Sequence, residues 1–187
     1  MRKIEWKAGT FIYPIPAVMV SCGSMEESNI LTVAWTGILN TNPAKVYISV
    51  RPERYSHDII EQTGEFAINL TNENLVYATD WCGVKTGAKV DKFIEMKLTK
   101  EKLNHVKCPG IKESPVTIEC KVSEVKHLGS HDMFIADVLS IDADEKYIDE
   151  TGAFDITKCN LIAYANGKYF SMGKQVGTFG YSVKKKK

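Results

Sequence analysis

The 187-residue sequence has no long apolar run, and no stretch approaches the ~20 consecutive apolar residues of a membrane-spanning helix. The first residues, MRKIEWKAGTFIYP, also lack the apolar segment that follows the basic start of a secretory signal peptide. These two absences predict a protein without a membrane as its partner.

Cysteine spacings typical of metal or redox sites are absent as well. The five cysteines are odd in number and widely separated, and no C-x-x-C occurs; they are Cys22, Cys82, Cys108, Cys120 and Cys159. This argues against a zinc knuckle and against a thioredoxin-type pair. Free thiols are typical of a reducing compartment, so we predict a cytoplasmic location.

The sequence has no large excess of one charge and none of several familiar catalytic motifs. Lys and Arg total 24, Asp and Glu total 23, and the net charge of +1 indicates no nucleic-acid partner. Neither G-x-G-x-x-G after a strand nor a Walker A motif occurs. His57 lies in a Ser-His-Asp stretch, but no G-x-S-x-G elbow accompanies it, so a hydrolase triad is unconvincing.

Short runs of β-branched and aromatic residues, separated by turn signals, predict about eight strands. The runs are 16–22, 29–37, 45–50, 65–70, 116–128, 133–143 and the two segments that flank the Asn166-Gly167 turn. Strands that follow one another through tight turns pair antiparallel, so we predict a mainly β fold, a β-barrel with flanking helices. We expect a single domain over 1–183, with a disordered lysine tail at 184–187.

The apolar spacing changes from a strand period to a helix period after Glu53. Tyr55, Ile59 and Ile60 predict a short amphipathic helix that ends at Gly64. A second helix is predicted to begin after a capping Asn72. The Gly- and Lys-rich segment 82–93 lacks apolar periodicity and predicts a loop, either a flap over a ligand or an exposed lysine loop.

Two arginines and a hydroxyl occur where the predicted strand at 45–50 ends and the first predicted helix begins. Arg51 ends the strand, and Arg54 and Ser56 fall in the first turn of the helix. A helix N-terminus favours anions and disfavours cations, so guanidinium groups placed there indicate a phosphate site. The alternative is that both arginines are solvated and pair with Glu53 or Asp58.

Aromatic and imidazole side chains supply the remaining candidates. Trp35 is followed by small residues and a polar loop, a combination that admits a flat ligand, although a core tryptophan before a turn is the alternative. His131 lies at a predicted hairpin tip in GSHDM, where it is either solvated or in contact with a substrate.

Four segments in order carry a resemblance that covers residues 9–173. They are PIPAVMVSC, then NILTVAWTGILNTNPAKVYISVRPERYSHDIIEQTGEFAINL, then DWCGVKTGAKVDKF, then IECKVSEVKHLGSHDMFIADV. The set resembles the flavin reductase-like, FMN-binding split-barrel family, and is most similar to its flavoredoxin branch. The resemblance implies an antiparallel six-stranded split barrel, usually a homodimer, with FMN near the subunit interface.

The resemblance also implies a set of site residues. Beside the isoalloxazine ring and ribityl chain it places Thr32, Val33, Ala34, Trp35 and Thr36. At the phosphate it places Ser49, Val50, Arg51, Tyr55 and Ser56, with Arg54 close by. Bordering the flavin it places Cys82, Thr86, Gly87 and Lys92. Near the nicotinamide side it places His131 as the catalytic candidate, and family members often have Thr where this chain has Ser56.

These implications give a functional hypothesis. The protein is expected to be an FMN-binding oxidoreductase that passes electrons from NADH, NADPH or a protein donor through FMN, either as a flavin reductase or as a flavoredoxin-type carrier with a redox protein partner. Hydride transfer to a flavin requires no acid or base from the protein, so the lack of a sharp catalytic motif agrees with this hypothesis. The alternative is a non-enzymatic binding module for flavin, haem or another tetrapyrrole.

Overall fold

The computed structural model describes residues 1–183, so the predicted lysine tail at 184–187 lies outside the described residues. These residues form twelve strands and three short α-helices. In chain order the strands are β1 (Ile15–Pro16), β2 (Val18–Gly23), β3 (Ser28–Val33), β4 (Thr36–Thr41), β5 (Ala44–Val50), β6 (Glu65–Asn69), β7 (Lys100–Glu101), β8 (Gly110–Ile111), β9 (Val116–His127), β10 (Asp132–Ala143), β11 (Ile162–Ala165) and β12 (Lys168–Ser171).

The main sheet has the order β3-β2-β6-β9-β10-β5-β4, and every neighbouring pair is antiparallel. This confirms the predicted mainly β, antiparallel split-barrel class. The sheet has seven strands rather than six, because residues 36–41 form β4 along β5 instead of a polar loop. Thr36 strengthens that pairing, since its Oγ1 donates a hydrogen bond to the Tyr47 carbonyl at 2.6 Å.

The two predicted hairpins are both present. β9 and β10 pair over most of their length and form the longest hairpin within residues 1–183. β11 and β12 flank a turn in which Asn166 and Gly167 both have positive φ, the backbone that an Asn-Gly turn favours. β1 adds to β11 to complete a three-stranded sheet, and β7 pairs with β8.

Helix α1 (Tyr55–Thr63) ends at Gly64 in the left-handed region, as its sequence predicts. Asn72 caps a single 3-10 turn, Glu73–Leu75, which continues into α2 (Val76–Val84). α3 (Lys92–Glu95) follows, capped by Asp91. The predicted loop over 82–93 is therefore too long at both ends, and the segment between the helices is 85–91.

A large apolar cluster fills the space between the curved sheet and α1, and it includes Val20, Ile48, Ile60, Phe66 and Phe134. A second cluster joins β2 and β3 to α2 and α3. All five cysteines are buried and unpaired. Among residues 1–183, no helix has both the length and the apolar composition needed to cross a bilayer.

Candidate functional site

A cleft lies where the end of β5 turns into α1, and it consists of two adjacent recesses. The first, here called the basic recess, measures about 390 Å³ and is lined by Asn29, Leu31, Arg51, Glu53, Arg54, Tyr55, Ser56, Lys85, Thr86, Gly87 and Lys92. The second, here called the aromatic recess, measures about 140 Å³ and is lined by Leu31, Thr32, Val33, Ala34, Trp35, Ser49, Val50, Arg51, Arg54 and His131. They share Leu31, Arg51 and Arg54.

The fold brings nearly all the residues singled out in the sequence to this one cleft. Only Thr36 and Cys82 of that set do not line either recess. Thr36 is engaged with β5. Cys82 is fully buried in the cluster between α2 and the sheet, and burial raises the pKa of its thiol to about 11. The thiol therefore stays protonated near neutral pH, which argues against a reactive cysteine.

The basic recess is built on the N-terminus of α1. Arg54 is the N-cap residue in an extended conformation, and no side chain caps the helix. Arg54 Nη1 donates to the Gly83 carbonyl at 3.1 Å, so this guanidinium is held against the C-terminal turn of α2. Arg51 Nη1 lies 3.3 Å from Glu53 Oε1 in an exposed ion pair. The pairing with Glu53 that the sequence left open is thus present, while both arginines still line the cleft.

Lys92 is the most unusual charge in the basic recess. Its side chain is only 3% exposed, and its ammonium donates to the carbonyls of Ile30 and Cys82, each at 2.7 Å. None of the salt bridges found among residues 1–183 gives this ammonium a carboxylate partner. Burial lowers the pKa of Lys92 to about 8. A buried cation with no fixed anion favours a ligand that brings negative charge.

Asn29 is a lining residue that sequence reasoning missed. It is buried at the start of β3, and its Nδ2 donates to Ser56 Oγ at 2.7 Å. Gly87 approaches it so closely that an added Cβ would lie 2.1 Å from Asn29 Oδ1. The only signal in the sequence is a polar residue at the start of a mostly apolar strand, which is a weak signal.

The aromatic recess lies at the other end of the cleft. Trp35, between β3 and β4, is 39% exposed, and the His131 ring lies on it with centroids 4.2 Å apart and an interplanar angle of 40°. The Trp35 carbonyl accepts a hydrogen bond from Ser49 N–H at 2.8 Å, which fixes the backbone there. Burial, followed by the nearby Arg51 and Arg54, lowers the pKa of His131. The imidazole is therefore neutral near pH 7 and both donates and accepts hydrogen bonds.

His57 does not enter the cleft. Both of its ring nitrogens contact carboxylates, Asp58 and Asp132, and His127 also contacts Asp132. His57, Asp58 and Glu61 lie close enough to resemble a metal site, but both carboxylates are exposed and His57 is already engaged. Because both ring nitrogens of His57 are engaged, these pairings argue against His57 as a nucleophile's base or a haem ligand.

The cleft as a whole suits a long, amphipathic anion. One end offers a helix N-terminus and cationic groups for a phosphate, and the other offers aromatic rings and backbone for a flat group. The two recesses share Leu31, Arg51 and Arg54 as lining residues, so they lie side by side in the order that such a ligand needs.

Comparisons with known proteins agree on one family. Residues 10–173 match the family described as flavin reductase like domain. The chain is similar to a flavoredoxin of Desulfovibrio vulgaris (Miyazaki F), with a TM-score of 0.90 and 27% identity over 98% of this chain and 100% of that one. A flavoredoxin from Methanosarcina acetivorans gives a TM-score of 0.88 and 26% identity at the same coverage of both chains. A protein of Archaeoglobus fulgidus is 27% identical over 161 residues, which cover 86% of this chain and 89% of that protein.

Proposed function

The chain belongs to the flavin reductase-like family, in its flavoredoxin branch, and from that premise we propose that it binds FMN and passes electrons through it. A flavin-binding oxidoreductase type of function follows from the family. The particular flavin, the residues that hold it and the electron donor are the parts proposed here.

The buried Lys92 carries the proposal. FMN ends in a phosphate with a charge near −2 at neutral pH, and the basic recess offers the Lys92 ammonium, Arg51, Arg54 and the free N-terminus of α1 to it. Ser56, held by Asn29, adds a hydroxyl at the same end. The close approach of Gly87 keeps the 85–91 segment against this recess, which makes it a fitting wall for a ribityl phosphate.

The aromatic recess is proposed to receive the ring system. Residues 32–35 offer backbone N–H and C=O groups along one edge, and Trp35 closes the end. His131 would lie near the open face, where its neutral imidazole orients a donor. When bound, FMN supplies the ability to accept a hydride or single electrons, while the protein contributes binding, orientation and exclusion of water.

Two electron donors fit the proposal, a nicotinamide nucleotide or a reduced redox protein. A reductase would turn over rapidly with NADH or NADPH. A carrier of the flavoredoxin type would hold FMN tightly, react weakly with NAD(P)H and be reduced rapidly by a ferredoxin-type protein. Stopped-flow reduction of the FMN-loaded protein with each donor distinguishes the two.

We also propose a homodimer located in the cytoplasm. Ile38 on the edge strand β4 is 80% exposed, and Trp6 and Phe11 in the N-terminal segment are similarly uncovered, as is typical of a surface that another subunit covers. The five unpaired cysteines support a reducing compartment. Light scattering of the purified protein tests the dimer, and a mass near twice 20.9 kDa is expected.

The proposed function is tested by the visible absorption spectrum of the purified protein, with FMN titrated in if it is colourless. Flavin bands that bleach on addition of NADH, NADPH or a reduced protein donor are expected. A protein without flavin bands, whose spectrum and fluorescence do not respond to FMN, would contradict the proposal.

A further inference from the structure

The Ser-His-Asp stretch of the sequence leads to a group of charges just behind the cleft. His57 is 5% exposed, and its Nε2 lies 2.9 Å from Asp132 Oδ2 while its Nδ1 lies 3.1 Å from Asp58 Oδ1. Because both nitrogens face carboxylate oxygens, only the imidazolium form donates a hydrogen bond at each of them. Burial alone would lower the pKa of His57, but the hydrogen bonds to Asp58 and Asp132 raise it.

Asp132 joins this histidine to a second one. The carboxylate is buried, 6% exposed, and its Oδ1 lies 2.9 Å from His127 Nδ1. Each carboxylate oxygen of Asp132 thus contacts one imidazole, which gives this buried carboxylate the partners it needs. Burial raises the pKa of Asp132, but the hydrogen bonds from His127 and His57 outweigh that effect and lower it. We refer to His57, Asp132 and His127 as the His-Asp-His clamp.

The clamp lies at the base of the β9–β10 hairpin. His127 and Asp132 face each other across the two strands, so the contact between their side chains closes the four-residue tip 128–131. Within the tip, Leu128 N–H donates to the His131 carbonyl at 2.9 Å. His57 ties the same carboxylate to the first turn of α1, and Asp132 is also the register partner of Val50 at the end of β5. The clamp therefore connects three elements that form the walls of the cleft.

His131 depends on this connection because, apart from the backbone bond between Leu128 and His131, little else holds the tip. Gly129 has a φ of +95° and an open surrounding, and Ser130 makes only an exposed contact, 3.0 Å from His131 Nδ1. The stacking of His131 on Trp35 is a single aromatic contact, too little to order an exposed tip alone. Asp132 is the next residue in the chain, and its anchoring fixes the backbone from which His131 projects.

We propose that Asp132 is a positioning residue, which through the His-Asp-His clamp sets the place of His131 against Trp35 in the aromatic recess. Its consequence for electron transfer rests on the proposed function, because only with a flavin in the cleft does the position of His131 affect a reaction. The placement itself is a property of the protein without ligand.

The first test therefore needs no flavin. Asp132→Asn keeps the shape of the side chain and removes its charge. Asp137→Asn is the matched control, since Asp137 lies on the same strand as Asp132 but pairs with Lys45 of β5. Imidazole signals in nitrogen-proton correlation spectra are compared. We expect Asp132→Asn to lower the pKa of His57 and to shift the ring signals of His131, and Asp137→Asn to change neither. A His57 change with His131 signals identical to those of the unmodified protein would overturn the proposal.

The second test is a double-mutant cycle on the reduction rate of FMN-loaded protein. Asp132→Asn and His131→Ala are each expected to slow reduction, and the double variant should be no slower than His131→Ala, because Asp132 acts through His131. Additive losses would contradict that dependence. Should Asp132→Asn fail to fold, His57→Gln opens the clamp from the helix side and is expected to give the same pattern. If the unmodified protein does not bind FMN, the proposed function is refuted, and the first test, which needs no flavin, still decides the role of the clamp.

Discussion

The two recesses of the cleft meet at Arg51 and Arg54, yet they are built on different physical principles. The basic recess relies on charge: a helix N-terminus, surface guanidiniums and one buried ammonium. The aromatic recess relies on shape, with an exposed indole, an imidazole stacked on it and a fixed backbone edge. Charge holds a ligand strongly, whereas shape orients it. The comparison predicts that variants at the basic end change affinity and variants at the aromatic end change rate.

The largest effect is expected at Lys92. Replacing it by Met keeps a side chain of similar length but removes the buried charge, and truncating one partner of a buried charge pair costs about 3 kcal/mol, or roughly 100-fold in FMN affinity. The stability of the flavin-free protein should not fall correspondingly, because the cost of burying the ammonium disappears with it. Fluorescence titration with FMN and thermal unfolding measure the two quantities.

Lys89→Met serves as the control, since Lys89 belongs to the same 85–91 segment but is exposed and does not line the recess. Its FMN affinity should stay within about twofold of the unmodified protein, the range expected of a surface change. Equal losses in the two variants would mean that general positive charge, and not the buried ammonium, holds the phosphate.

The next largest effect is expected from the two arginines together. Arg51→Gln with Arg54→Gln should weaken FMN binding by about 30-fold at low salt, because charge-assisted bonds to the phosphate are worth about 1 kcal/mol each at a partly exposed site. Riboflavin, which lacks the phosphate, should bind nearly as before. The FMN difference should shrink as salt rises, unlike that of Lys92→Met.

Equal weakening of FMN and riboflavin by the double variant would show that the arginines shape the cleft instead of binding phosphate. Arg54 is the one to examine in that case, because its contact with the Gly83 carbonyl ties α2 to the N-terminus of α1. The single variants then separate the exposed guanidinium of Arg51 from the anchored one of Arg54.

The recesses also differ in how much of them the sequence predicts. The strand-to-helix junction at 50–55 is visible as a change of apolar period, so Arg51, Arg54 and Ser56 are predicted from local chemistry and are found together. Asn29 is not, because its role depends on contacts with Ser56 and Gly87, which are distant in the sequence. The resemblance places Thr36 beside the ring, and this stays a prediction; the structure adds that its hydroxyl bonds to β5, a tertiary contact that single-sequence patterns do not show.

The fold also has parts that the sequence predicts and parts that it does not. Antiparallel order follows from alternating runs and tight turns, and the Asn166-Gly167 hairpin is predicted and found. The seventh strand of the main sheet is missed, because its two large apolar residues, Ile38 and Leu39, are adjacent and exposed at the edge, so residues 36–41 carry no apolar alternation. The segment 82–93 is predicted as loop throughout, because α2 and α3 end and begin on glycine- and lysine-rich sequence that tertiary packing makes helical.

A pH effect of intermediate size should also arise at the basic end. The pKa of Lys92 is lowered to about 8 from an ordinary value of 10.5, so its charge is lost as pH rises through 8 in the flavin-free protein. FMN affinity should therefore fall by up to about tenfold between pH 8 and pH 9. The folded chain binds fewer protons than the unfolded chain between pH 8 and 10.5, so this group makes the flavin-free protein more stable as pH rises there.

Lys92→Met should remove both trends, and this makes the pH effect specific. An affinity for FMN that stays flat from pH 7 to pH 9.5 in the unmodified protein, measured at constant ionic strength, would mean that Lys92 does not titrate against the ligand.

At the aromatic end, His131→Ala should leave FMN affinity within about twofold. It should slow reduction of the bound flavin roughly fivefold, which corresponds to an activation free energy higher by about 1 kcal/mol. Stopped-flow absorbance with the better donor gives the rate, and fluorescence titration gives the affinity. If the folded variant no longer binds flavin, His131 contributes to holding the ligand. That outcome would contradict the expectation that the basic recess sets affinity and the aromatic recess sets rate.

The smallest effect concerns how closely the 85–91 segment can approach the sheet. Gly87→Ala places a Cβ 2.1 Å from Asn29 Oδ1, so either the segment moves outward or the amide turns and weakens its bond to Ser56. Because the segment is on the surface and can yield, we expect only about a threefold loss of FMN affinity and little loss of stability. Gly173→Ala, which meets nothing within 4 Å, is the matched control and should change neither. Unchanged FMN binding in Gly87→Ala would mean that the close contact between Gly87 and Asn29 does not contribute to FMN binding. The basic recess would then depend on Arg54 and Lys92 and not on the 85–91 segment.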